Sequence, residues 1–288
     1  MKRVLVIMLI FMTISGCENE IKNVDLESIN NFNYDNVQEV DYYLHSKEYM
    51  IIRMSDLNVL YSKDADKKMY PASLTKVLTL DTVLSLVDDL NDTSRISPWQ
   101  VRDLINDDAS LAHIQTDYDY TLRDLLYALI LPSGADAAVA LQNYFNERGI
   151  NLIEEMNSHA KELGCENSNF VNTTGLHDDN HYTTLNDLFK ILMDVLKYED
   201  GRKVLETLSY TTSDGIRLMS SLKAIRGGGL QILGGKTGFT TESGQSVIML
   251  FKHNNRSYIL MVANAMGNPY QDEFFHFEDA VEIINNLY

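Results

Sequence analysis

The sequence is poor in cysteine and proline. Its 288 residues include two cysteines, at positions 17 and 165, and four prolines. If Cys17 carries a modification, as the N-terminal sequence indicates, Cys165 has no partner and a disulfide within the chain is excluded. The fold must then be stabilised by an apolar core rather than by covalent cross-links.

Basic residues are also scarce relative to acidic ones. The chain has 24 Lys and Arg residues against 41 Asp and Glu residues, which gives a formal net charge of −17 at pH 7. A surface of this charge repels nucleic acids and anionic lipid headgroups. We therefore predict no nucleic-acid partner, and we expect any membrane contact to be made by an anchor.

The N-terminal apolar run is too short to span a bilayer comfortably. Lys2 and Arg3 precede this run, which covers residues 4–14, and the sequence Ile-Ser-Gly-Cys then ends at Cys17. The pattern predicts a lipoprotein-type signal peptide over residues 1–17, with Cys17 as the lipidated N-terminus. The alternative is an ordinary signal peptide cut at a small residue, which leaves Cys17 incidental and the protein secreted.

Strand patterns lie near both ends of the chain. Residues 18–42 are rich in Asn, Asp and Glu and predict a tether, so we expect one domain over residues 43–288. Two pairs of β-rich runs are joined by turn-like residues, and a C-terminal amphipathic helix follows. The predicted elements are strands Tyr49–Met54 and Val59–Ser62, two strands joined by residues 253–256, and a helix over Glu273–Leu287.

Helix patterns fill the middle of the chain. Thr121 and Thr184 each precede an apolar run and have an aspartate three residues later, which is the spacing of a helix N-cap, and Pro132 ends the first run. Strands at both ends with helices between them predict an α+β fold. We expect an antiparallel sheet built from both termini and flanked by helices, an inserted all-helical lobe, and an active site between the two.

The pattern Ser-x-x-Lys occurs three times. In the first copy Pro71 precedes Ser73, and a strongly apolar helix pattern follows, so Ser73 and Lys76 share a helix face one turn apart. A lysine in this position can activate a serine once it loses its proton. We interpret the other two copies as chance, because Ser158–Lys161 lies on a polar helix and Ser220–Lys223 in a loop.

Two further sites accompany this pair. Lys236-Thr237-Gly238 is the only Lys-Thr-Gly triplet, and it leads into the C-terminal strands. A glycine in a strand indicates close approach by another backbone or a ligand, and a Lys-Thr pair can bind a carboxylate. Ser133 lies between the two motifs, at a junction of predicted helices behind Pro132.

The three motifs, in this order, resemble those of the penicillin-binding proteins and serine β-lactamases. Longer stretches are similar to the low-molecular-mass D-alanyl-D-alanine carboxypeptidases over roughly residues 48–288. They are LYSKDADKKMYPASLTKVLT, DLLYALILPSGADAAVAL, FVNTTGLHDDNHYTTLNDL and GGKTGFTTESG. The resemblance implies a serine β-lactamase/transpeptidase-like fold and a D,D-carboxypeptidase that removes the terminal D-Ala of peptidoglycan stem peptides, reacts with β-lactam antibiotics and needs no cofactor.

The resemblance also implies catalytic roles. Ser73 would be the acylated nucleophile and Lys76 its base, with a proton made labile by burial and by the nearby Lys236. Ser133 would relay a proton to the leaving amine.

The remaining implied residues bind substrate. Lys236 and Thr237 of the Lys236–Gly238 triplet would hold the terminal carboxylate. The backbone N–H groups of Ser73 and Phe239 would form the oxyanion hole. Together with the N-terminal signal, the resemblance predicts a lipid-anchored protein on the extracytoplasmic face of the bacterial cell membrane. Since one predicted helix follows the Lys-Thr-Gly strands, we expect the lipid, and not a C-terminal helix, to be the anchor.

Position 135 departs from the family pattern. The middle motif usually ends in asparagine, whose amide bonds the first-motif lysine and the substrate backbone, but this chain has Ala135. Each lost bond costs about 0.5–1.5 kcal/mol, and more if Lys76 is left unpaired. We expect a water or a neighbour such as Asn172 to substitute.

Three alternatives remain open. A serine β-lactamase needs a deacylating base, and Glu147–Asn151 fits one such pattern formally, although it lies too near Ser133 to form a separate loop. A zinc peptidase would use His177 and His181, which we interpret as structural, so we predict no metal. A penicillin-sensing or wall-binding module without turnover is the third.

Overall fold

The computed structural model describes residues 37–225 and 230–287. This part of the chain contains nine strands and eight α-helices. The strands are β1 (Glu48–Arg53), β2 (Asn58–Lys63), β3 (Thr93–Ser94), β4 (Tyr120–Thr121), β5 (Ser209–Thr211), β6 (Arg217–Met219), β7 (Gln231–Thr240), β8 (Gly244–His253) and β9 (Arg256–Ala265). The helices are α1 (Thr75–Leu86), α2 (Pro98–Asn106), α3 (Leu122–Ile130), α4 (Ala135–Asn146), α5 (Leu152–Glu162), α6 (Leu185–Val195), α7 (Glu199–Leu205) and α8 (Phe275–Asn285).

The principal sheet combines both ends of the described chain. Its order is β2-β1-β9-β8-β7, and every neighbouring pair is antiparallel. The two predicted hairpins are therefore confirmed as β1–β2 and β8–β9. Strand β7, which carries the Lys-Thr-Gly triplet, forms one edge of this sheet.

Both faces of the sheet are buried, because apolar side chains point alternately to two cores. One face packs against the helical lobe, and the other packs against α8 through Ala280, Ile283 and Ile284. In β1 the first core receives Met50 and Ile52, while the second receives Tyr49 and Ile51. Successive side chains of a strand point to opposite faces of the sheet. A shift of the strand pairing by one residue would therefore move each apolar side chain into the other core, and packing in both cores fixes the register.

The lobe contains α1 to α7, as predicted, but it is not all-helical, because the two-stranded sheets β3–β4 and β5–β6 also lie between β2 and β7 along the chain. Thr121 and Thr184 cap α3 and α6, where their hydroxyls accept hydrogen bonds from the backbone N–H groups of Asp124 and Asp187. Helix α1 is buried continuously from Thr75 to Val83, so it forms the centre of the lobe. An antiparallel sheet with this inserted lobe confirms the predicted α+β class.

The predicted tether ends earlier than expected. Gln38 pairs with Tyr61 of β2, and the backbone N–H of Val40 donates to the Tyr49 hydroxyl at 2.9 Å, so residues 38–42 already belong to the fold. The polar composition of this segment concealed these few contacts. The predicted signal peptide, Cys17 and most of the tether lie outside the described residues. Within the described ranges, no helix is long and apolar enough to cross a membrane.

Candidate active site

A cleft of about 780 Å³ lies between the helical lobe and the edge strand β7. Its lining includes most of the residues that the sequence predicted to act together, namely Ser73, Lys76, Ser133, Ala135, Gly238 and Phe239. The structure therefore brings together side chains from three distant parts of the chain.

Ser73 lies in a single 3₁₀ turn, Ala72–Leu74, that leads directly into α1. Ala72 has φ 46°, in the left-handed region that side chains rarely adopt, so the backbone is strained immediately before the nucleophile. Lys76 follows one turn later, and its Nζ lies 2.8 Å from Ser73 Oγ. The spacing of three residues thus gives the contact that the sequence predicted.

Lys76 is buried, and its environment favours the neutral amine. Burial lowers its pKa from 10.5 to about 7, against the opposing effect of the Asp136 carboxylate. Its Nζ also donates to the backbone carbonyl of Thr174 at 2.5 Å. A neutral lysine held by this carbonyl can direct its lone pair at the Ser73 hydroxyl and accept the proton.

Ser133 and Lys236 form a second hydroxyl–amine pair. Ser133 has φ 67° in the sharp turn between α3 and α4, and Lys236 Nζ donates to its Oγ at 2.9 Å. Lys236 is buried as well, and burial together with the charge of Lys76 lowers its pKa well below the ordinary value. The prediction that Lys236 helps to lower the pKa of Lys76 is therefore refined. Burial lowers the pKa of Lys76, whereas the repulsion between the two lysines adds to burial in lowering the pKa of Lys236.

Gly238 allows the turn that carries Ser73 to rest on β7. A Cβ at this position would lie 3.1 Å from the Pro71 carbonyl oxygen and 3.3 Å from the Leu74 nitrogen. The close approach inferred from the Lys-Thr-Gly triplet is therefore present. Because β7 is an edge strand, alternate N–H groups along it have no strand partner and are available to the cleft beside Ser73.

Ala135 is buried at the start of α4, and its N–H donates to the Ser110 carbonyl at 2.8 Å. The partner of Lys76 is the Thr174 carbonyl, and not Asn172 as expected. The Asn172 side chain instead accepts from the Thr174 and Gly175 N–H groups. Asn172 thus orders the loop that presents this carbonyl.

The other two Ser-x-x-Lys copies do not form such pairs, as predicted. Ser158 is exposed on α5, and Ser220 caps a short turn by accepting from the Leu222 N–H. Its neighbour Ser221, however, lines the cleft, with its Oγ 2.7 Å from Thr237 Oγ1. Ser221 could not be predicted from the sequence, because nothing in its local pattern distinguishes it from Ser220.

The two histidines of the zinc-peptidase alternative have protein partners. His181 is buried, its Nε2 lies 2.7 Å from Thr75 Oγ1, and burial lowers its pKa to about 4. His177 lines the cleft and pairs with Asp179 at 3.6 Å. Glu147, the formal β-lactamase base, is exposed at the end of α4.

A separate buried cluster joins α1, α5 and α6. His159 Nε2 lies 3.1 Å from Asp81 Oδ2 and 3.5 Å from Asp194 Oδ2, and Lys197 pairs with Asp194. Burial lowers the pKa of His159, but hydrogen bonds to Asp194 and Asp81 outweigh burial and raise it to about 10. The three side chains lie close enough together to hold a metal ion. A protonated His159 instead hydrogen-bonds both aspartates, Lys197 pairs with Asp194, and burial raises the pKa of Asp81 to about 7.

Known proteins resemble this chain in sequence and fold. A D-alanyl-D-alanine carboxypeptidase family model matches residues 35–267. The D-alanyl-D-alanine carboxypeptidase DacF of Bacillus subtilis is 28% identical over 76% of this chain, which spans 57% of that protein. The D-alanyl-D-alanine carboxypeptidase of Streptomyces strain K15 is 28% identical, with 78% of this chain and 81% of that protein covered.

Solved structures show the same fold. The Streptomyces K15 DD-transpeptidase has a TM-score of 0.74 and 26% identity, covering 85% of this chain and 98% of that one. The ampicillin-bound penicillin-binding protein D2 of Listeria monocytogenes has a TM-score of 0.68 and 25% identity, covering 86% and 98%. Since the family model extends over most of the chain and includes all three motifs, the chain belongs to the S11 peptidase family of D-alanyl-D-alanine carboxypeptidases.

Proposed function

We propose that the protein is a serine D,D-carboxypeptidase that removes the terminal D-Ala of peptidoglycan stem peptides through an acyl-enzyme on Ser73. The observation that carries this proposal is the 2.8 Å contact between Ser73 Oγ and Lys76 Nζ. Lys76 has a pKa near 7, so a large fraction is neutral at physiological pH and can serve as a base.

In this mechanism Lys76 removes the Ser73 proton as the hydroxyl attacks the carbonyl between the two D-alanines. The N–H groups of Ser73 and Phe239 receive the developing oxyanion. The C–N bond breaks, the amine of the terminal D-Ala leaves with a proton relayed through Ser133, and water then hydrolyses the ester. Lys236 supports the relay through its 2.9 Å bond to the Ser133 hydroxyl.

A fluorescent penicillin and a D-Ala release assay test this proposal. We expect covalent labelling of the wild type, release of D-Ala from an acyl-D-Ala-D-Ala peptide, and loss of both in Ser73→Ala. Ser158→Ala, which removes the serine of a chance Ser-x-x-Lys copy, is the matched control and keeps both.

Other outcomes assign other functions. Labelling without D-Ala release indicates a penicillin-sensing or wall-binding module. Rapid loss of the label with hydrolysis of the drug indicates a β-lactamase. Labelling that maps to Ser158 or Ser220 contradicts the assignment of the nucleophile.

The N-terminal sequence supports a location at the extracytoplasmic face of the cell membrane, with a lipid on Cys17 as the anchor. The net charge of −17 does not favour direct contact of the catalytic domain with anionic headgroups. Cys17→Ser is expected to release the protein from membranes or to leave the precursor unprocessed. Unchanged membrane retention with the normal mature N-terminus contradicts lipidation.

A further inference from the structure

The cleft contains a pair of hydroxyl groups, of which the Thr237 hydroxyl has a predicted role and the Ser221 hydroxyl has none. Ser221 Oγ lies 2.7 Å from Thr237 Oγ1, and both residues line the cleft. In such a pair one hydroxyl donates to the other, and the second keeps its own proton for a ligand. Two hydroxyls at this spacing match the two oxygens of a carboxylate.

The turn that carries Ser221 is well anchored. Ser221 N–H donates to the Leu131 carbonyl at 3.2 Å, next to the loop of Ser133. The hydroxyl of Ser220 accepts from the Leu222 N–H, and the Leu222 side chain is buried in the second core. Ser221 therefore reaches the cleft from a fixed position beside the Leu131 carbonyl.

Acidic side chains line the cleft, so an anionic substrate group must be bound there by uncharged hydrogen-bond donors such as hydroxyl groups. Within residues 37–225 and 230–287, no arginine lines the cleft, whereas Asp107, Asp108 and Glu242 do. Lys236 is buried and its donors are engaged by the Ser133 hydroxyl and the Thr237 carbonyl. A substrate carboxylate thus meets repulsive charges at the rim and needs directional hydrogen bonds inside.

We propose that Ser221 is a carboxylate-binding residue, whose hydroxyl acts with that of Thr237 to hold the C-terminal carboxylate of the substrate. This inference rests on the proposed function, because it concerns the same cleft and the same peptide. When the carboxylate enters, the bond between the two hydroxyls opens and each donates its proton to one carboxylate oxygen.

The test compares two thioester substrates that differ in one group. An acyl-D-alanyl thioester of thioglycolate carries a free carboxylate, and its methyl ester does not, while both release a thiol. Ser221→Ala is expected to lower kcat/KM for the free acid about tenfold or more, the loss of one hydrogen bond to a charged group. For the methyl ester kcat/KM should change by less than about twofold, since the lost bond is absent there.

Three further variants keep the test decisive. Ser221→Thr retains a hydroxyl and is expected to restore the preference for the free acid. Ser221→Cys keeps the size of the side chain with a weak donor, so it should repeat the selective loss even if the alanine variant folds poorly. Ser158→Ala is the matched control, because this serine is exposed on α5 and is not among the residues that line the cleft.

The outcomes separate this inference from the proposed function. Equal losses on both thioesters, or no loss on either, overturn the role of Ser221 while the enzyme remains active. If the wild type cleaves neither thioester and is not labelled by penicillin, the proposed function fails and this inference fails with it.

Discussion

The pKa of Lys76 provides a direct test of the mechanism through the pH dependence of acylation. Acylation requires the neutral amine, and burial lowers the pKa of Lys76 from 10.5 to about 7. A lowered lysine pKa increases the fraction of the neutral amine at a given pH. The acylation rate should therefore rise with pH and level off above the pKa of Lys76. The neutral fraction is about one half at pH 7 and about one tenth at pH 6, compared with roughly one in 3,000 at pH 7 for an unperturbed lysine.

The assay is the second-order rate constant for covalent labelling by a fluorescent penicillin between pH 5 and pH 9. We expect log rate to rise with a slope near one below pH 7 and to become flat above it. Lys76→Arg, which cannot lose its proton, should label at least about a hundredfold more slowly at every pH. Lys161→Ala, in the exposed chance copy, should reproduce the wild-type profile.

Two results refute the reasoning. A rate that keeps rising with unit slope through pH 9 means that Lys76 retains an ordinary pKa despite its burial. A rate that is flat from pH 5 to pH 9 in the wild type means that Lys76 is not the base for Ser73.

Three other changes test separate parts of the structure. Gly238→Ala places a Cβ 3.1 Å from the Pro71 carbonyl, so displacement of the nucleophile turn should slow penicillin labelling at pH 8 about tenfold without moving the pH midpoint; an unchanged rate contradicts the tight contact. His159→Gln removes the cation beside Asp81 and Asp194 and should cost about 1–3 kcal/mol in urea unfolding at pH 6.5, because Asp81, whose pKa burial raises to about 7, can take up a proton in its place; since the folded pKa of His159 is about 10, the stability that its protonation contributes is lost as pH rises from about 6.5 toward 10, and a constant difference counts against the assigned charge. Ala135→Asn should raise turnover of an acyl-D-Ala-D-Ala peptide about tenfold, since the Thr174 carbonyl already holds the lysine and one substrate bond remains to be gained; equal or lower turnover at unchanged melting temperature shows a site rebuilt around alanine.

The parts of the fold that depend on residues close together in the sequence could be predicted from the sequence. The β1–β2 and β8–β9 hairpins follow from apolar runs around turn residues, and the caps of α3 and α6 follow from a threonine with an acidic residue at the right spacing. The sequence does not reveal that residues 38–42 join the fold, because a few contacts to β1 and β2 leave almost no trace in a polar composition.

The site was predictable to the extent that its contacts are local. Ser73 and Lys76 are one helical turn apart, so their spacing alone indicates the contact. The bond between Ser133 and Lys236 joins two distant segments and was not predicted, since the family resemblance placed both residues in the site without a contact between them. The Thr174 carbonyl could not be inferred, because every residue has a carbonyl and only the loop path brings this one to Lys76.

The position of β1 in the sheet determines the order in which the protein can assemble. β1 lies between β2 and β9, so its pairing with β9 closes a loop that contains the whole helical lobe. Contacts so distant along the chain form slowly, whereas the lobe is one continuous stretch with many local contacts. Until β9 arrives, the β1–β2 hairpin exposes an unpaired edge and apolar residues on both faces, which makes the partly folded chain prone to aggregation. Because the cleft needs β7 beside the Ser73 turn, we expect the proposed reactivity toward penicillin to be gained only when the sheet closes, so that penicillin labelling would report closure of the sheet during folding.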